Sequence, residues 1–504
     1  MDPPWLLHYF LLSSLTTIIP ILLWRLRRPA EAYPPGPPGL PILGNFFDMP
    51  TTAPWIQFAE WGKKYGPVIY LNLLGRPLVV LNSAKATVDL LERRGGKYAD
   101  RPSFVMAGEI VGYKDMMIMS PHNRVYREQR KLISGTFGKD KIGHFHEYLE
   151  AQTTKLALSL LDDPKNAAEI VKQHTGTVLL KIIYGLDAGE EHAHHITTAS
   201  QCAIDFLNLT LPGKFLVDSL PFLRHVPSWV PFSPKRQAIE WCKTASKFRT
   251  LPYYEAKQRV LEAKASESFL SRILARRGTS KLEKELDFPT MTSNLLLAGT
   301  DTTCIAIQYA IIALINHQDI QRQGQAEIDK VIGSGSLPTL KDRENLPYVT
   351  AFCKEVLRLN IPAPLGFIHV ASSDDVYEGQ HIPAGTMVMS NTWEILRDPQ
   401  NFQDPWEFNP DRFIAKTDTG TDLVELGFGS GRRHCPGKHI ALDLLFITVA
   451  TFLAVFDICP SQPLEPSNFP SGFVIRPETF NCIMTPRSPD AATLLKSAKG
   501  LTSA

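Results

Sequence analysis

The chain has 504 residues, of which 44% are apolar, 10% aromatic and 21% charged, and this composition excludes a mainly disordered protein. The formal net charge of +2 gives no basis for nucleic-acid binding. Seven widely spaced cysteines without a CxxC pair are typical of reduced thiols facing the cytosol, not of a disulfide framework.

The N-terminal segment is a candidate membrane anchor. Residues 3–24 contain no Asp, Glu, Lys or Arg, and arginines follow at positions 25, 27 and 28. The apolar run is long enough to cross a bilayer as one helix. A cleaved signal peptide is the alternative, because residues 30–32 resemble a cleavage site, but the basic residues follow the apolar run instead of preceding it. We therefore expect a retained transmembrane anchor over residues 1–28, with the remainder of the chain in the cytosol.

Residues 29–45 contain six prolines and three glycines. Such a composition predicts an extended, semi-rigid hinge between the anchor and the folded body, with a proline-rich ligand for another protein as the alternative. No further linker interrupts the sequence, so residues 46–504 are predicted to form one large catalytic domain.

Helical patterns predominate after the hinge. Strand-like runs occur early, at residues 68–74 and 77–82, and again late, at residues 386–391. Since helices and strands do not alternate regularly, the pattern predicts a mainly α fold with small β-sheets.

Residues 291–317 form a long predicted helix that is apolar on nearly every face. A second membrane span is the alternative, but Asp301 near its middle would be costly in lipid. We therefore expect a helix buried through the centre of a globular domain.

Within that helix the stretch AGTDTT, residues 298–303, combines small residues with an acid and an alcohol. Ala298 and Gly299 leave space beside the helix, and Thr302 points to the same side as Ala298. Asp301 beside Thr302 could relay protons. The alternative is that the threonine hydroxyl binds the carbonyl one turn back.

In KEVLRL, Glu355 and Arg358 are three residues apart and therefore meet on one helix face. Alone they would be a surface ion pair of small value. Arg412, in FNPDRF, could complete a network with them.

The stretch GFGSGRRHCPG, residues 427–437, surrounds Cys435 with glycines and basic residues and precedes a long apolar run. The glycines indicate tight turns or the close approach of a flat group. Basic neighbours and a following helix N-terminus favour a thiolate, which is a nucleophile or a metal ligand. A buried structural cysteine is the alternative.

These four motifs, in this order, resemble those of the cytochrome P-450 family of haem-thiolate monooxygenases, over residues 34–488. The anchor and hinge are similar to those of microsomal members, and the sequence after residue 364 is similar to that of fungal ones. The resemblance implies a mainly α fold with small β-sheets, in which haem lies between the long central helix and the cysteine loop.

The resemblance implies that Cys435 is the axial ligand to the iron of haem b. Other implied cofactor-binding residues are Phe428, Gly429 and Gly437 of the loop, Ala298 of the central helix, and Arg433, Arg130, Tyr126 and His369 at the propionates. Tyr126 stands where the family usually has tryptophan. Glu355, Arg358 and Arg412 are implied to stabilise the fold around the loop, not to take part in chemistry.

The implied reaction inserts one atom of O₂ into a neutral lipophilic molecule, with Asp301 and Thr302 as catalytic residues. Electrons come from NADPH indirectly, through a flavoprotein reductase that cytochrome b5 sometimes joins. Arg432 and Lys438 are candidates for the docking patch, with a solvated surface as the alternative. Fungal secondary metabolism, on a terpenoid, polyketide or aromatic compound, is expected. The alternatives are xenobiotic oxidation, a haem-thiolate isomerase or dehydratase, and a non-catalytic haem protein.

By family position, the pocket is implied to involve residues 103–118, 206–211, 295–302, 362–368 and 472–475. Residues 220–232 predict a surface that dips into lipid and admits substrate, and core packing is the equally weighted alternative. The expected location is the endoplasmic reticulum membrane.

Overall fold

The computed structural model describes residues 33–187, 189, 191–276, 279–414, 422–461, 474–477 and 480–501. The predicted anchor, the first residues of the hinge and residues 472 and 473 of the predicted pocket lie outside the described residues. The described chain is mainly helical with small sheets, as the sequence predicts.

The helices are α1 Pro54–Tyr65, α2 Ala84–Thr87, α3 Arg124–Phe137, α4 His146–Asp162, α5 Ala167–Tyr184, α6 Ala193–Leu209, α7 Leu216–Ser219, α8 Pro234–Gln237, α9 Ile239–Leu261, α10 Phe269–Leu274, α11 Thr279–Glu285, α12 Phe288–Asn316, α13 Gln318–Val331, α14 Pro347–Leu359, α15 Thr392–Ile395, α16 Lys438–Val455 and α17 Pro489–Leu501. The strands are β1 Val68–Leu73, β2 Arg76–Leu81, β3 His369–Val370, β4 Asp375–Tyr377, β5 Gln380–Ile382, β6 Met387–Ser390, β7 Phe456–Pro460 and β8 Cys482–Pro486.

The predicted central helix is α12, and it runs through the core. Its N-terminus is capped by Asp287, whose side chain accepts from the Thr290 N–H, and Pro289 lies in its first turn, where its missing donor costs nothing. It packs against α5, α6, α9, α14 and α16. α12 and α16 are both long and apolar enough to cross a membrane, but most of the apolar part of each is buried inside the protein. Both therefore serve as core helices.

The main sheet has the strand order β1-β2-β6-β3. β1 pairs with β2 and β3 pairs with β6 in antiparallel fashion, whereas β2 and β6 are parallel. Three of these strands, β1, β2 and β6, coincide with the predicted runs. The short strand β3 matters for the site because it carries His369.

From Tyr33 onward the proline-rich segment lies against β1. The Tyr33 and Tyr70 rings stack with centroids 4.9 Å apart, and the Tyr70 N–H donates to the Pro35 carbonyl at 2.9 Å. A Cβ on Gly36 would lie 2.0 Å from the Tyr70 backbone carbonyl oxygen, so only glycine lets the two chain segments come this close. Residues 33–45 are thus attached to the folded body.

Glu355, Arg358 and Arg412 form the predicted network, but it is not at the surface. The Glu355 and Arg358 side chains are fully buried, and Arg358 Nε lies 2.6 Å from Glu355 Oε2. Arg412 Nε lies 3.1 Å from Glu355 Oε1. Arg358 also donates to the carbonyls of Leu396 and Pro405, which fixes the chain that leads to the cysteine loop.

We expect Glu355→Gln to lower the free energy of unfolding by about 3–5 kcal/mol, because it leaves the buried Arg358 guanidinium and the partly buried one of Arg412 without this carboxylate. Chemical denaturation of the haem-loaded protein measures this change. The control is Glu60→Gln in the exposed pair with Lys63, which should change stability by less than about 1 kcal/mol. Equal effects of the two substitutions would contradict a structural role for the network.

Candidate active site and cofactor cavity

One cavity joins the central helix to the cysteine loop. Its volume, counted as the space that the centre of a water molecule can occupy, is about 260 Å³. Ala298, Gly299 and Thr302 of α12 line one part of it, and Phe428 and Cys435 of the loop line another. The central-helix motif and the cysteine loop lie far apart in the sequence but are walls of one cavity.

The cysteine loop is shaped by its glycines. Gly429 and Gly431 have φ angles of +82° and +56°, in the region that favours glycine. A Cβ on Gly431 would lie 2.3 Å from the Leu91 carbonyl oxygen, so the loop packs closely on the segment of Leu91 to Gly95. The Cys435 N–H donates to the Phe428 carbonyl at 2.7 Å, and α16 begins three residues later at Lys438. This geometry holds the thiol at the end of the loop.

Opposing effects act on the Cys435 thiol. Burial raises the pKa of the thiol above its usual value, although the backbone N–H groups of Gly437 and Lys438 and the charge of Arg130 lower it. Protein atoms surround the residue, and the surface that it still exposes lines the cavity. A cation on the cavity side of Cys435 would stabilise the thiolate form.

Arg433 is buried and ties the loop to the segment before α3. Its Nε donates to the Ala99 carbonyl at 2.6 Å, and its two terminal nitrogens donate to the carbonyls of Met117 and Ser120 at 3.1 and 2.7 Å. Carbonyl groups satisfy these donors without neutralising the charge. Burial lowers the pKa of Arg433, as expected for an unneutralised cation.

Arg101 is a site residue that the sequence reasoning missed. It lines the cavity, donates to the carbonyls of Phe367 and Ile368, and has a buried Nε with no hydrogen-bond partner among the described residues. Burial and the charge of Arg433 lower its pKa to about 9. Its position next to Asp100 and Pro102 carries no local signal for this role, because the role depends on the approach of β3 and the loop.

Arg130 also lines the cavity, and no ion-pair partner is found for it in the described part of the chain. The only carboxylate among the described lining residues is Asp301. Three arginines therefore face a cavity with one carboxylate, and this excess of positive charge favours an anionic ligand.

His369 and Tyr126 lie beside these arginines, but their polar atoms are partly used. His369 Nδ1 lies 2.7 Å from the Tyr98 carbonyl, and burial, with the charge of Arg101, holds its pKa well below the usual value. The Tyr126 hydroxyl donates to the Arg432 carbonyl at 2.9 Å, and its ring lies 3.9 Å from the Arg433 guanidinium carbon. Tyr126 thus supports Arg433 instead of offering its hydroxyl proton to the cavity.

These residues fit haem. Its two propionates match the uncompensated arginines, and its iron would supply the cation that the Cys435 thiol lacks. Small residues on both sides, Ala298 on α12 and Gly429 in the loop, leave room for a flat group. The space beside Gly299, which the sequence predicts to be open, is filled by Leu179 of α5, 2.8 Å from the position of a Cβ. Gly437 has no heavy atom within 4 Å of the position where a Cβ would lie, so its side of the loop is also open.

The acid and alcohol of α12 are both engaged. The Thr302 hydroxyl donates to the Ala298 carbonyl at 2.9 Å, which is the alternative arrangement considered above. Asp301 forms an ion pair with Arg476, whose Nη2 lies 2.6 Å from Asp301 Oδ2. Arg476 was not predicted, because it lies 175 residues further along the chain. Both Asp301 and Thr302 line the cavity.

Apolar side chains form the rest of the cavity wall. Each of the five predicted pocket segments contributes, through Met117, Phe206, Leu295, Phe367 and Val474 among others. The sequence reasoning missed the contribution of α5, whose Leu179, Ile182 and Ile183 also line the cavity. A buried helix face facing a cavity has the same apolar pattern as one facing the core, so composition could not separate the two.

The family model described as Cytochrome P450 matches residues 34–484. The chain therefore belongs to the cytochrome P450 family, a class of haem-thiolate enzymes. It is 38% identical over 471 residues to Cytochrome P450 monooxygenase 208 of Postia placenta, covering 92% of each chain. It is 34% identical over 494 residues to Tryptamine 4-monooxygenase of Psilocybe cyanescens, covering 94% of this chain and 96% of that one. It is also 34% identical over 478 residues to Cytochrome P450 monooxygenase claR of Ampulloclitocybe clavipes, covering 92% of this chain and 88% of that one.

We expect Cys435→Ser to abolish thiolate ligation, because a neutral hydroxyl donates far less charge to iron than a thiolate does. The ferrous carbon monoxide complex should then lose its red-shifted Soret band. Cys353→Ser is the control, since Cys353 is buried in α14 and does not line the cavity. If the Cys435 variant kept the band, another residue would have to be the ligand.

Proposed function

We propose that this protein is a monooxygenase that inserts one atom of O₂ into a neutral, lipophilic small molecule, in fungal secondary metabolism. The observation that carries the proposal is the apolar cavity that reaches from Cys435 to Asp301 and Thr302. Haem, when bound, supplies the activation of oxygen. The residues of the chain hold the cofactor, position the substrate and deliver protons.

The charges of the cavity support a neutral substrate. Its arginines lie among the residues proposed to bind the haem propionates, and its one described carboxylate, Asp301, is paired with Arg476. A cationic amine such as tryptamine, which the name of one relative specifies, would have to compete with Arg476 for Asp301. A neutral terpenoid, polyketide or aromatic compound needs no such exchange.

Asn294 is the polar group proposed to orient that substrate. It is buried, lines the cavity and lies one helical turn before Ala298 on the same face of α12. Its Oδ1 accepts from the Ile118 N–H at 3.3 Å, which assigns the amide nitrogen to the opposite side. That nitrogen could donate to a carbonyl or hydroxyl oxygen of a lipophilic substrate.

Asp301 and Thr302 are proposed to move protons between solvent and the cavity. Arg476 is partly exposed and pairs with Asp301, so the ion pair connects the protein surface to α12. For Thr302 to donate a proton into the cavity, its hydroxyl must rotate away from the Ala298 carbonyl. Opening the ion pair would free Asp301 to resupply that proton.

Electrons are proposed to come from an NADPH-dependent flavoprotein reductase, with cytochrome b5 as a second donor. Arg432 of the loop is exposed, as are Arg127 and Lys131 of α3. The hydrogen bond from the Tyr126 hydroxyl to the Arg432 carbonyl places α3 beside the loop. Lys438 is ion-paired with Glu425 and so contributes less free charge to this proposed docking patch.

The reaction is tested by mass spectrometry of products formed under ¹⁸O₂ by membranes that contain the protein, the reductase and a panel of lipophilic metabolites. One labelled oxygen per product is expected. Turnover without reductase and without label would favour an isomerase or dehydratase, and broad turnover of unrelated foreign compounds would favour xenobiotic oxidation.

In the same assay, we expect Thr302→Ala to preserve haem content and substrate binding but to lower the product formed per NADPH and raise hydrogen peroxide. The product-forming rate should fall by about 100-fold, which is the lower end of what a positioned proton donor contributes. Thr300→Ala is the matched control, because the Thr300 hydroxyl donates to the Leu296 carbonyl at 2.8 Å but does not line the cavity. An unchanged ratio of product to NADPH in Thr302→Ala would rule out the relay.

Membrane attachment is proposed to use the N-terminal anchor and the surface of residues 220–232, at the endoplasmic reticulum. Phe222, Trp229 and Phe232 are 65%, 78% and 91% exposed, which supports lipid contact over the alternative of core packing for these side chains. Exposed aromatic side chains in one short segment favour contact with lipid.

We expect a protein lacking residues 1–28 to keep some affinity for lipid vesicles, because the 220–232 surface remains. Adding Trp229→Ser and Phe232→Ser to this truncated protein should remove most of the remaining affinity in a vesicle sedimentation assay. The control substitutions are Val376→Ser and Ile483→Ser, at exposed apolar residues in β4 and β8. A loss of binding in the control, or none in the aromatic variant, would argue against this surface.

A further inference from the structure

Two basic residues of α8 lie beside the exposed aromatic residues of the 220–232 surface. Lys235 and Arg236 follow Phe232 closely in the chain, and both are exposed. Within the described part of the chain, neither side chain has an ion-pair partner. Since α8 packs against residues 221–225, the two cations and the aromatic side chains belong to one continuous surface.

Hydrogen bonds attach the loop that carries Trp229 and Phe232 to the start of α8. Ser233 is buried, and its hydroxyl donates to the Val226 carbonyl at 3.1 Å. The Gln237 Nε2 donates to the Phe232 carbonyl at 3.3 Å. These bonds hold the loop folded against α8, so the cations of α8 stay next to the aromatic rings.

The carboxylates of this region do not neutralise the two cations. Asp218 is buried, and its Oδ1 accepts from the Met106 N–H at 2.9 Å. Glu109 is paired with Arg224, and their closest N–O distance is 2.9 Å. Glu240, which follows α8, is paired with Lys243. The charge left unpaired beside the aromatic residues is therefore positive, and it favours an anionic partner.

The chain that follows the proposed anchor reaches the same region of the molecule. Side-chain atoms of Phe46 and Met49 lie 3.9 Å from the position of a Cβ on Gly213, in the connection between α6 and α7. Ile42 and Phe47 of that segment are exposed. A membrane that holds the anchor would therefore lie close to the elements that lead into the 220–232 surface.

We propose that the 220–232 surface binds acidic phospholipids, with Lys235 and Arg236 as the partners of their headgroups. This inference rests on the proposed contact of that surface with lipid and adds the class of lipid. Aromatic side chains of a membrane-bound surface enter the boundary between headgroups and acyl chains, which leaves the adjacent cations at the level of the headgroups. The cytosolic leaflet supplies anionic lipids there, and each nearby Lys or Arg strengthens binding to it by about fivefold.

The test measures hydrogen exchange of residues 220–239 in the full-length, haem-loaded protein, held in nanodiscs of phosphatidylcholine or of phosphatidylcholine mixed with phosphatidylserine. We expect slower exchange in the mixed lipid, and high salt should remove the difference, because it screens exposed charges. The double substitution Lys235→Gln with Arg236→Gln should remove most of the protection that phosphatidylserine adds. Its exchange in phosphatidylcholine alone should remain that of the unmodified protein.

The matched control is Lys155→Gln with Lys165→Gln, which removes the same charge from exposed lysines in α4 and just after it. This variant should keep the full effect of phosphatidylserine, and an unchanged haem absorbance spectrum shows that each variant is folded. The proposal would be overturned if phosphatidylserine had no effect on the unmodified protein, or if the two double variants lost the effect equally.

A further variant, Trp229→Ser with Phe232→Ser, separates the choice of lipid from the lipid contact itself. Its exchange in phosphatidylcholine alone should be faster than that of the unmodified protein, because the aromatic contact is lost. If this holds but phosphatidylserine has no effect on the unmodified protein, the surface contacts lipid without selecting acidic headgroups. If the aromatic substitutions change nothing in either lipid, the lipid contact fails as well. Slower exchange with added reductase, but not with phosphatidylserine, would identify an acidic protein as the partner instead.

Discussion

Uncompensated positive charge around Arg433 is the constraint on which the cavity depends. Arg433 holds the cysteine loop against the chain around Ala99 and Ser120 through backbone carbonyls, which satisfy its donors but leave its charge. Arg101 lies close enough for the charge of Arg433 to lower its pKa. A wall of this kind favours an anion beside it, and the Cys435 thiol, which faces the same cavity, favours a cation there. Haem meets both needs in one molecule.

The central helix shows how the fold accommodates a charge in an apolar element. Asp301 would be costly inside α12 without a partner, and Arg476 supplies one from a segment near the end of the chain. In the proposed relay the same ion pair makes proton delivery conditional, because the carboxylate would have to leave Arg476 before it could serve Thr302. Stability and proton transfer therefore place opposite demands on one pair of side chains.

Helix α6 links three parts of the molecule. His192 and His195, at its start, are held by Glu255 of α9, its middle and end line the cavity, and the exposed aromatic residues of the 220–232 surface follow it in the chain. The proposed lipid contact would therefore lie close in the chain to a helix that forms part of the cavity wall.

The sequence by itself determined the elements that depend on local pattern. The apolar run of α12, the strand runs of the main sheet, the pairing of Glu355 with Arg358 and the glycine-rich loop around Cys435 could all be predicted, because helix and strand periodicity and turn chemistry act over short distances. The spacing of the motifs then identified the family.

Only the tertiary structure decided which groups face one another. Arg101 at the cavity, Arg476 on Asp301, the hydroxyl of Tyr126 on Arg432 and the lining residues of α5 each depend on contacts between distant segments. The surroundings of Cys435, where burial raises the pKa of the thiol while backbone N–H groups and basic neighbours lower it, also depend on packing. Burial and long-range contact are properties of the packed chain, and for that reason no local pattern could reveal them.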